Sequence, residues 1–286
     1  MSLLIDTSFL WNETVWNPGM VSGLRAWYDA SDTATVSATG GLIDSVTDKS
    51  GNGLTLTSSG STRPTYTSAG LNGLNIFTYD GNDFLESVLA APWRFLHDLT
   101  GSSIFTVWKP GTSTDPNAMY TLLGTNGAFS SNVGMYVSFE DRSIVGNNRL
   151  RTFITDNTGN WVVNTTTADN FATPNVNQIC GWILNPTASA SNRASVRVNG
   201  GAASQTNTET VSPTTANPAF PLKLGATGGN TGFQFPLLGS IAEVVLVAGA
   251  LGDTDRQRME GYLAHKWGLG ANLPADHPYK TIGPKP

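Results

Sequence analysis

What most limits the folds open to this chain is a recurring pattern. Short runs rich in Val, Ile, Thr and aromatics, many with apolar residues at every second position, are separated by clusters of Gly, Asn, Asp, Ser and Pro. Eleven such runs cover residues 42–46, 74–79, 103–109, 120–124, 134–139, 149–155, 161–164, 177–184, 194–198, 222–225 and 240–247. Successive side chains of a strand point to opposite faces, so a period of two marks a half-buried strand. The separators SGNG, DGND, NVG and VNGG provide the backbone conformations that tight turns require. Short strands joined by polar turns predict an all-β antiparallel sandwich or barrel.

Composition agrees and narrows the function classes. The 286 residues include 35 Thr, 25 Ser and 24 Asn, while only 13% are charged, against about 25% in a typical soluble domain. Thr favours a pleated, half-exposed surface. Apolar residues make up 39%, enough for a sizeable core, so the chain does not have the composition of a disordered one. A net charge of −5 with no basic run leaves no electrostatic footprint for nucleic acid. The longest apolar stretch, 241–251, contains Glu243 and is far shorter than the ~20 residues of a membrane span. The start, MSLLIDTSFLWNETVW, has no positive region and carries early acids, so no signal peptide is expected. The one cysteine, Cys180, rules out an intramolecular disulfide and points to folding in a reducing cytosol.

One segment departs from the strand pattern. Across 253–267, Met259, Tyr262, Leu263 and Trp267 fall at helical spacing on one face. Asp253 or Thr254 is the expected N-cap, and Gly268, Gly270 and Pro274 stop the helix. Residues 1–22 also stand apart. Leu4, Phe9, Trp11 and Trp16 make this stretch apolar, and it ends at the turn Asn17-Pro18-Gly19. Two readings remain open for it: an edge strand on the same sandwich, or an arm that docks on another subunit and so covers its apolar side chains. The domain proper is expected over 23–286.

The segments LRAWYDASDTATVSATGGLIDSVTDKSGNG (24–53), RPTY (63–66), LNGLNIFTYDGNDFL (71–85) and FTVWK (105–109) resemble the concanavalin A-like, laminin-G-type jelly-roll domains. The resemblance continues through SVRVNGG (195–201), LKLGATGG (222–229), FPLLGSIAEVVLVAGALGDTDRQRMEGYLAHKWGL (235–269) and LPADHPYK (273–280). The subgroup with this pattern occurs in tailed-bacteriophage virion proteins and large bacterial surface proteins. The resemblance implies a two-sheet antiparallel jelly-roll sandwich with one C-terminal α-helix packed on it. Independently, Asn199-Gly200 reads as a hairpin turn needing positive φ. The 241–247 run is apolar on nearly both faces, as suits a central strand between the second sheet and the helix. His265, Lys266 and Trp267 are then packing and surface residues of that helix.

Few residues suggest chemistry. Glycoside hydrolysis requires two carboxylates facing one bond, yet Glu140 and Asp141 are adjacent and point to opposite faces of a strand, while Asp253 and Asp255 start the helix. Cys180, within QICGWIL, reads as a core thiol. His97, His265 and His277 are too scattered for a zinc site. Asp29, Asp48, Asn52 and Asp80 lie in polar loops and admit calcium as a cofactor, although Asx-turns account for the same residues. Trp93, Tyr136 and Trp161 are the candidate glycan platform, set against a structural role for aromatics in such a core.

The first expectation is therefore a non-enzymatic structural protein on the surface of a tailed-phage virion, a capsid or tail decoration or adaptor subunit assembled in the host cytoplasm. Its partners would be other virion proteins and further copies of itself in a homo-oligomer. The alternative is a carbohydrate-binding, receptor-recognition module for cell-surface polysaccharide. A glycan hydrolase ranks last.

Overall fold

The computed structural model describes residues 15–112, 118–127, 132–142, 146–229 and 232–286. Its strands are β1 (Leu24–Asp29), β2 (Val36–Thr39), β3 (Leu42–Val46), β4 (Leu56–Thr57), β5 (Thr65–Leu71), β6 (Leu74–Asp80), β7 (Leu85–Ser87), β8 (Ser102–Pro110) and β9 (Ala118–Gly124). They continue as β10 (Gly134–Arg142), β11 (Gly146–Thr155), β12 (Trp161–Thr166), β13 (Gln178–Leu184), β14 (Ala194–Val198), β15 (Lys223–Leu224), β16 (Thr227–Gly229), β17 (Gly232–Gln234) and β18 (Leu238–Ala248). One α-helix, α1 (Asp253–Lys266), follows. All eleven runs lie on strands. The additional strands, such as β1 and β5, carry polar or charged side chains that break the alternation.

Hydrogen bonds link the strands along the path β12-β11-β10-β9-β15-β7-β4-β3-β5-β6-β18-β8-β13-β14, with β1 on β18 and β2 on β3, and the ladders between these described strands are antiparallel. The path folds over so that its two halves face each other. Phe139, Leu150 and Ile154 from β10 and β11 share one core with Trp108, Trp182 and Leu246 from β8, β13 and β18. The fold is thus an all-β antiparallel sandwich of the jelly-roll kind.

The helix packs on the outside of the second sheet, as the sequence led us to expect. Met259, Tyr262, Leu263 and Trp267 bury against Trp27, Phe105, Val107, Ile179 and Val245. Its N-cap is Gly252, in place of the expected Asp253 or Thr254. At the other end Gly268 has φ +69°, and the Leu269 N–H donates to the Ala264 carbonyl at 2.7 Å, a Schellman-type stop. Trp16 is a core residue, not part of a free arm. It is 2% exposed and meets Tyr262 edge-on at 6.1 Å. Leu4, Phe9 and Trp11 lie outside the described residues.

Lys266 also differs from expectation. Its side chain is 3% exposed, between Asp29 and Glu243. The cause is a β-bulge in β18 between Ile241 and Glu243. It turns both Ala242 and Glu243 toward the helix, while Ile241, Val244 and Leu246 face the inner core.

Candidate functional site

Strands β9 to β12 present their outer face away from both the core and the helix. Alternation places Tyr136, Ser138 and Glu140 of β10 on this face, opposite Phe153, Arg151 and Arg149 of β11. On the opposite, inward face, Met135, Val137, Phe139, Leu150 and Ile154 fill the core. The pattern Arg-x-Arg-x-Phe beside Tyr-x-Ser-x-Glu therefore builds one mixed strip.

The strip has an aromatic end and a charged end. Tyr136 stacks on Phe153 with centroids 5.1 Å apart, and Trp161 meets Phe153 edge-on at 5.9 Å. Trp161 is 46% exposed, whereas Tyr136 is fully buried. The Arg151 guanidinium lies 5.7 Å from the Phe153 ring centre. It donates to Glu140 Oε1 at 3.1 Å and to Asn164 Oδ1 at 3.0 Å. Arg149 approaches Glu140 Oε2 at 3.8 Å and Asp169 at 3.6 Å. Glu140 is thus held between two guanidinium groups at 1% exposure. Beside it, Ser138 and Thr121 are direct cross-strand neighbours. Both hydroxyls are buried and have no hydrogen-bond partner among the described residues.

The β16–β17 hairpin lies over the β9 side of this face, beside Tyr136. It can approach because position 124 is glycine: a Cβ there would sit 3.2 Å from the Thr227 Cα. Phe235 closes the patch against Met119, Tyr136 and Phe153. The exposed end offers a ring for stacking next to alternating donors and acceptors in fixed fork geometry.

Two of the three candidate aromatics, Tyr136 and Trp161, meet here through Phe153, with Trp161 presenting the accessible ring. Trp93 does not join them. It is fully buried, and its indole N–H donates to Ser87 Oγ at 2.7 Å, so it has no face open to a ligand. Sequence reasoning passed over Arg149, Arg151 and Asn164, and noted Glu140 only as half of a rejected pair. Their signal was the period-two placement of charge beside aromatics on two consecutive runs.

The four loop oxygens serve other purposes. Asp48 accepts from the backbone N–H groups of Trp27 and Ser50, and Asn52 donates to the carbonyls of Leu24 and Arg25, which together lock the 48–54 turn onto β1. Asp80 accepts from the Asn82 N–H in an Asx-turn. Asp29 pairs with Lys49 at 2.8 Å and Lys266 at 2.7 Å. Among the described residues no group of three or more His, Cys, Asp or Glu side chains is arranged to hold a metal. Cys180 is buried in the core with the Trp108 indole N–H 3.1 Å from its sulfur.

No protein-family profile matches the sequence, and no curated protein does either. Solved structures do share the fold. A Trypanosoma rangeli sialidase in complex with sialic acid is similar over 86% of this chain and 33% of its own, at 12% identity and a TM-score of 0.52. The botulinum neurotoxin serotype D binding domain is similar over 82% of this chain and 49% of its own, at 10% identity and a TM-score of 0.51. The Ruminococcus gnavus IT-sialidase CBM40 bound to α2,3-sialyllactose is similar over 63% and 93%, at 14% identity and a TM-score of 0.47. The chain spans about a third of the trypanosomal sialidase and about half of the toxin chain. At such identities the likeness to the trypanosomal sialidase and the toxin domain establishes a shared fold only.

Proposed function

We propose that the chain is a glycan-binding module and that its ligand lies across the exposed end of the β10–β12 face. The observation that carries this reading is Trp161, a half-exposed ring at the end of a row formed by Arg151, Asn164 and Glu140. Sugars offer an apolar ring face for stacking and adjacent hydroxyls that both donate and accept. Beside the ring the Arg151 guanidinium donates and the Asn164 carboxamide both donates and accepts, with the buried Glu140 fixing the guanidinium from behind. The low overall charge and the abundance of Thr, Ser and Asn suit a neutral, hydrogen-bonding partner.

The role is one of binding, not hydrolysis. Glu140 is 1% exposed and taken up by Arg149 and Arg151, so it has no open side toward a glycosidic bond. The virion role implied by the sequence resemblance finds no support in the structural likenesses. The receptor-recognition alternative agrees better with them.

A glycan array followed by calorimetry on the hits tests this. Binding should fall on the order of thirtyfold in Trp161→Ala, the loss of a typical aromatic anchor, and fall also in Arg151→Ala. Because Trp161 is half-exposed, its removal should leave the fold intact. An array without signal above background, or hits whose affinity ignores both substitutions, would refute the assignment.

A further inference from the structure

On the opposite side of the sandwich, under the helix, charged side chains that the glycan reading does not use are buried together. The register of β1 and β18 sets Asp29 directly opposite Glu243. Two carboxylates side by side on one sheet face repel each other unless a cation bridges them. Helix α1 supplies that cation. Lys266 Nζ lies 2.7 Å from Asp29 Oδ1 and 2.7 Å from Glu243 Oε2. The three side chains are 3%, 4% and 0% exposed for Lys266, Asp29 and Glu243. The walls are aromatic: the indole N–H groups of Trp27 and Trp267 and the Tyr262 hydroxyl all donate to Glu243, at 2.6, 2.6 and 2.9 Å.

We propose that this cluster is a modification site at which Lys266 and Asp29 condense, after folding, into an isopeptide bond, with Glu243 carrying one of the protons. An amine and a carboxyl held in contact and almost fully buried have the proximity that replaces a bimolecular encounter. Condensation removes two buried charges and leaves a neutral amide, which relieves the desolvation cost of the ion pair.

The step balances without a co-reactant. A proton passes from the Lys266 ammonium to Asp29 Oδ1, 2.7 Å away, which leaves a neutral, electrophilic carboxyl. The freed Nζ lone pair attacks Asp29 Cγ while the Glu243 carboxylate, 2.7 Å from Nζ, takes the second proton from nitrogen. As the Cγ–N bond forms, Lys49 Nζ, 2.8 Å from Asp29 Oδ2, stabilises the negative charge that develops on that oxygen. The bond from Cγ to Oδ1 then breaks. That oxygen, already carrying the first proton lost by nitrogen, receives the second from Glu243 and leaves as water, and Glu243 ends ionised as it began. Burial lifts the Glu243 carboxyl above the ordinary range even with Lys266 beside it, which suits it to hold a proton in transit. Burial likewise raises Asp29, but the ammonium groups of Lys266 and Lys49 outweigh it and bring it down to about 2, so the starting state is the ion pair. A cavity of about 610 Å³ lined by Trp27, Asp29, Asp32, Lys49, Tyr262 and Lys266 gives the product water a way out. The bond would fasten β1, near one end of the sandwich sequence, to the C-terminal helix.

Mass spectrometry of the full chain decides the matter. The wild-type protein should be lighter than its sequence by one water, and trypsin should yield residues 26–49 joined to residues 259–280, with no cleavage after Lys266. Glu243→Gln and Lys266→Arg should both return to the full sequence mass. Circular dichroism on each variant checks that it is folded. If either variant fails to fold, the wild-type masses alone still decide. A wild-type protein at full sequence mass after prolonged incubation overturns the proposal, as does a water loss that persists in Lys266→Arg.

Discussion

Arg193 offers a sharp test of how the β12 edge of the proposed glycan face is held. The residue is 7% exposed, and its guanidinium donates to the carbonyls of Ala188 (3.2 Å), Val162 (3.0 Å), Thr210 (3.3 Å) and Val211. It thereby ties the long connection between β14 and β15 to β12. Asn207 assists, accepting from the Asn164 N–H on the open edge of β12 at 3.0 Å. Substitution by Met keeps the stem and removes all four donors. Hydrogen bonds from a charged donor contribute about 1.5–3 kcal/mol each, but carbonyls on the connection can turn to water once released. Val162 is fully buried, so its carbonyl has no such substitute. One orphaned buried acceptor plus partial loss of the others puts the cost of Arg193→Met at about 3 kcal/mol. Urea unfolding followed by tryptophan fluorescence should show that loss. Limited proteolysis should show new cleavage within residues 201–221. Glycan affinity should drop as well, because Asn164, which orients Arg151, sits on the loosened strand. A loss below about 1 kcal/mol with unchanged protease protection would mean that the connection is held by something other than this guanidinium.

Other expectations follow from the same geometry. Burial pushes the Cys180 thiol up to about 12 despite the lowering effect of the Trp108 N–H; at pH 8 only about one molecule in ten thousand is thiolate. Iodoacetamide should therefore leave the native protein unmodified and label it in urea. Burial, with the Asp80 carboxylate adding to it, raises Asp83 to about 6. Its folded value exceeds its unfolded one, so the stability it contributes is full below about pH 4 and is lost as pH rises through about 6. Asp83→Asn should lack that decline, and urea midpoints for the two proteins should diverge in its favour between pH 4 and 7. Gly225 has φ +93°, and a Cβ there would lie 2.4 Å from the Tyr79 ring. Gly225→Ala should cost about 3 kcal/mol through strain and overpacking, measured by the same unfolding curve, with no change expected at an exposed positive-φ glycine such as Gly51 beyond the strain alone.

Much of the architecture could be read locally. Alternation at 134–139 and 149–155 reflects the two faces of β10 and β11, and the Met259–Trp267 spacing reflects the covered face of α1. Each depends only on neighbours within a few residues and on the fixed geometry of strand or helix. The short strands escaped because their side chains serve turns and ion pairs. β1 contains Asp29, which looks like a loop residue until Lys266 is brought against it.

The outer β10–β12 face proposed to bind glycan was half legible. Tyr136 and Trp161 drew notice as aromatics, but Trp93, of the same type, proved to be core, since exposure follows from packing and not from residue identity. Arg149 and Arg151 appeared to be scattered charges until the β10–β11 register set Glu140 between them.

The sequence by itself determined the all-β class, the turn positions, the C-terminal helix and the apolar face it buries. These follow from local periodicity and from turn chemistry acting over a few residues. Only the tertiary structure decided that Glu243 is a buried hub and Lys266 its partner. That outcome turns on one bulge in β18 and on the β1–β18 register, through which residues more than two hundred positions apart come into contact.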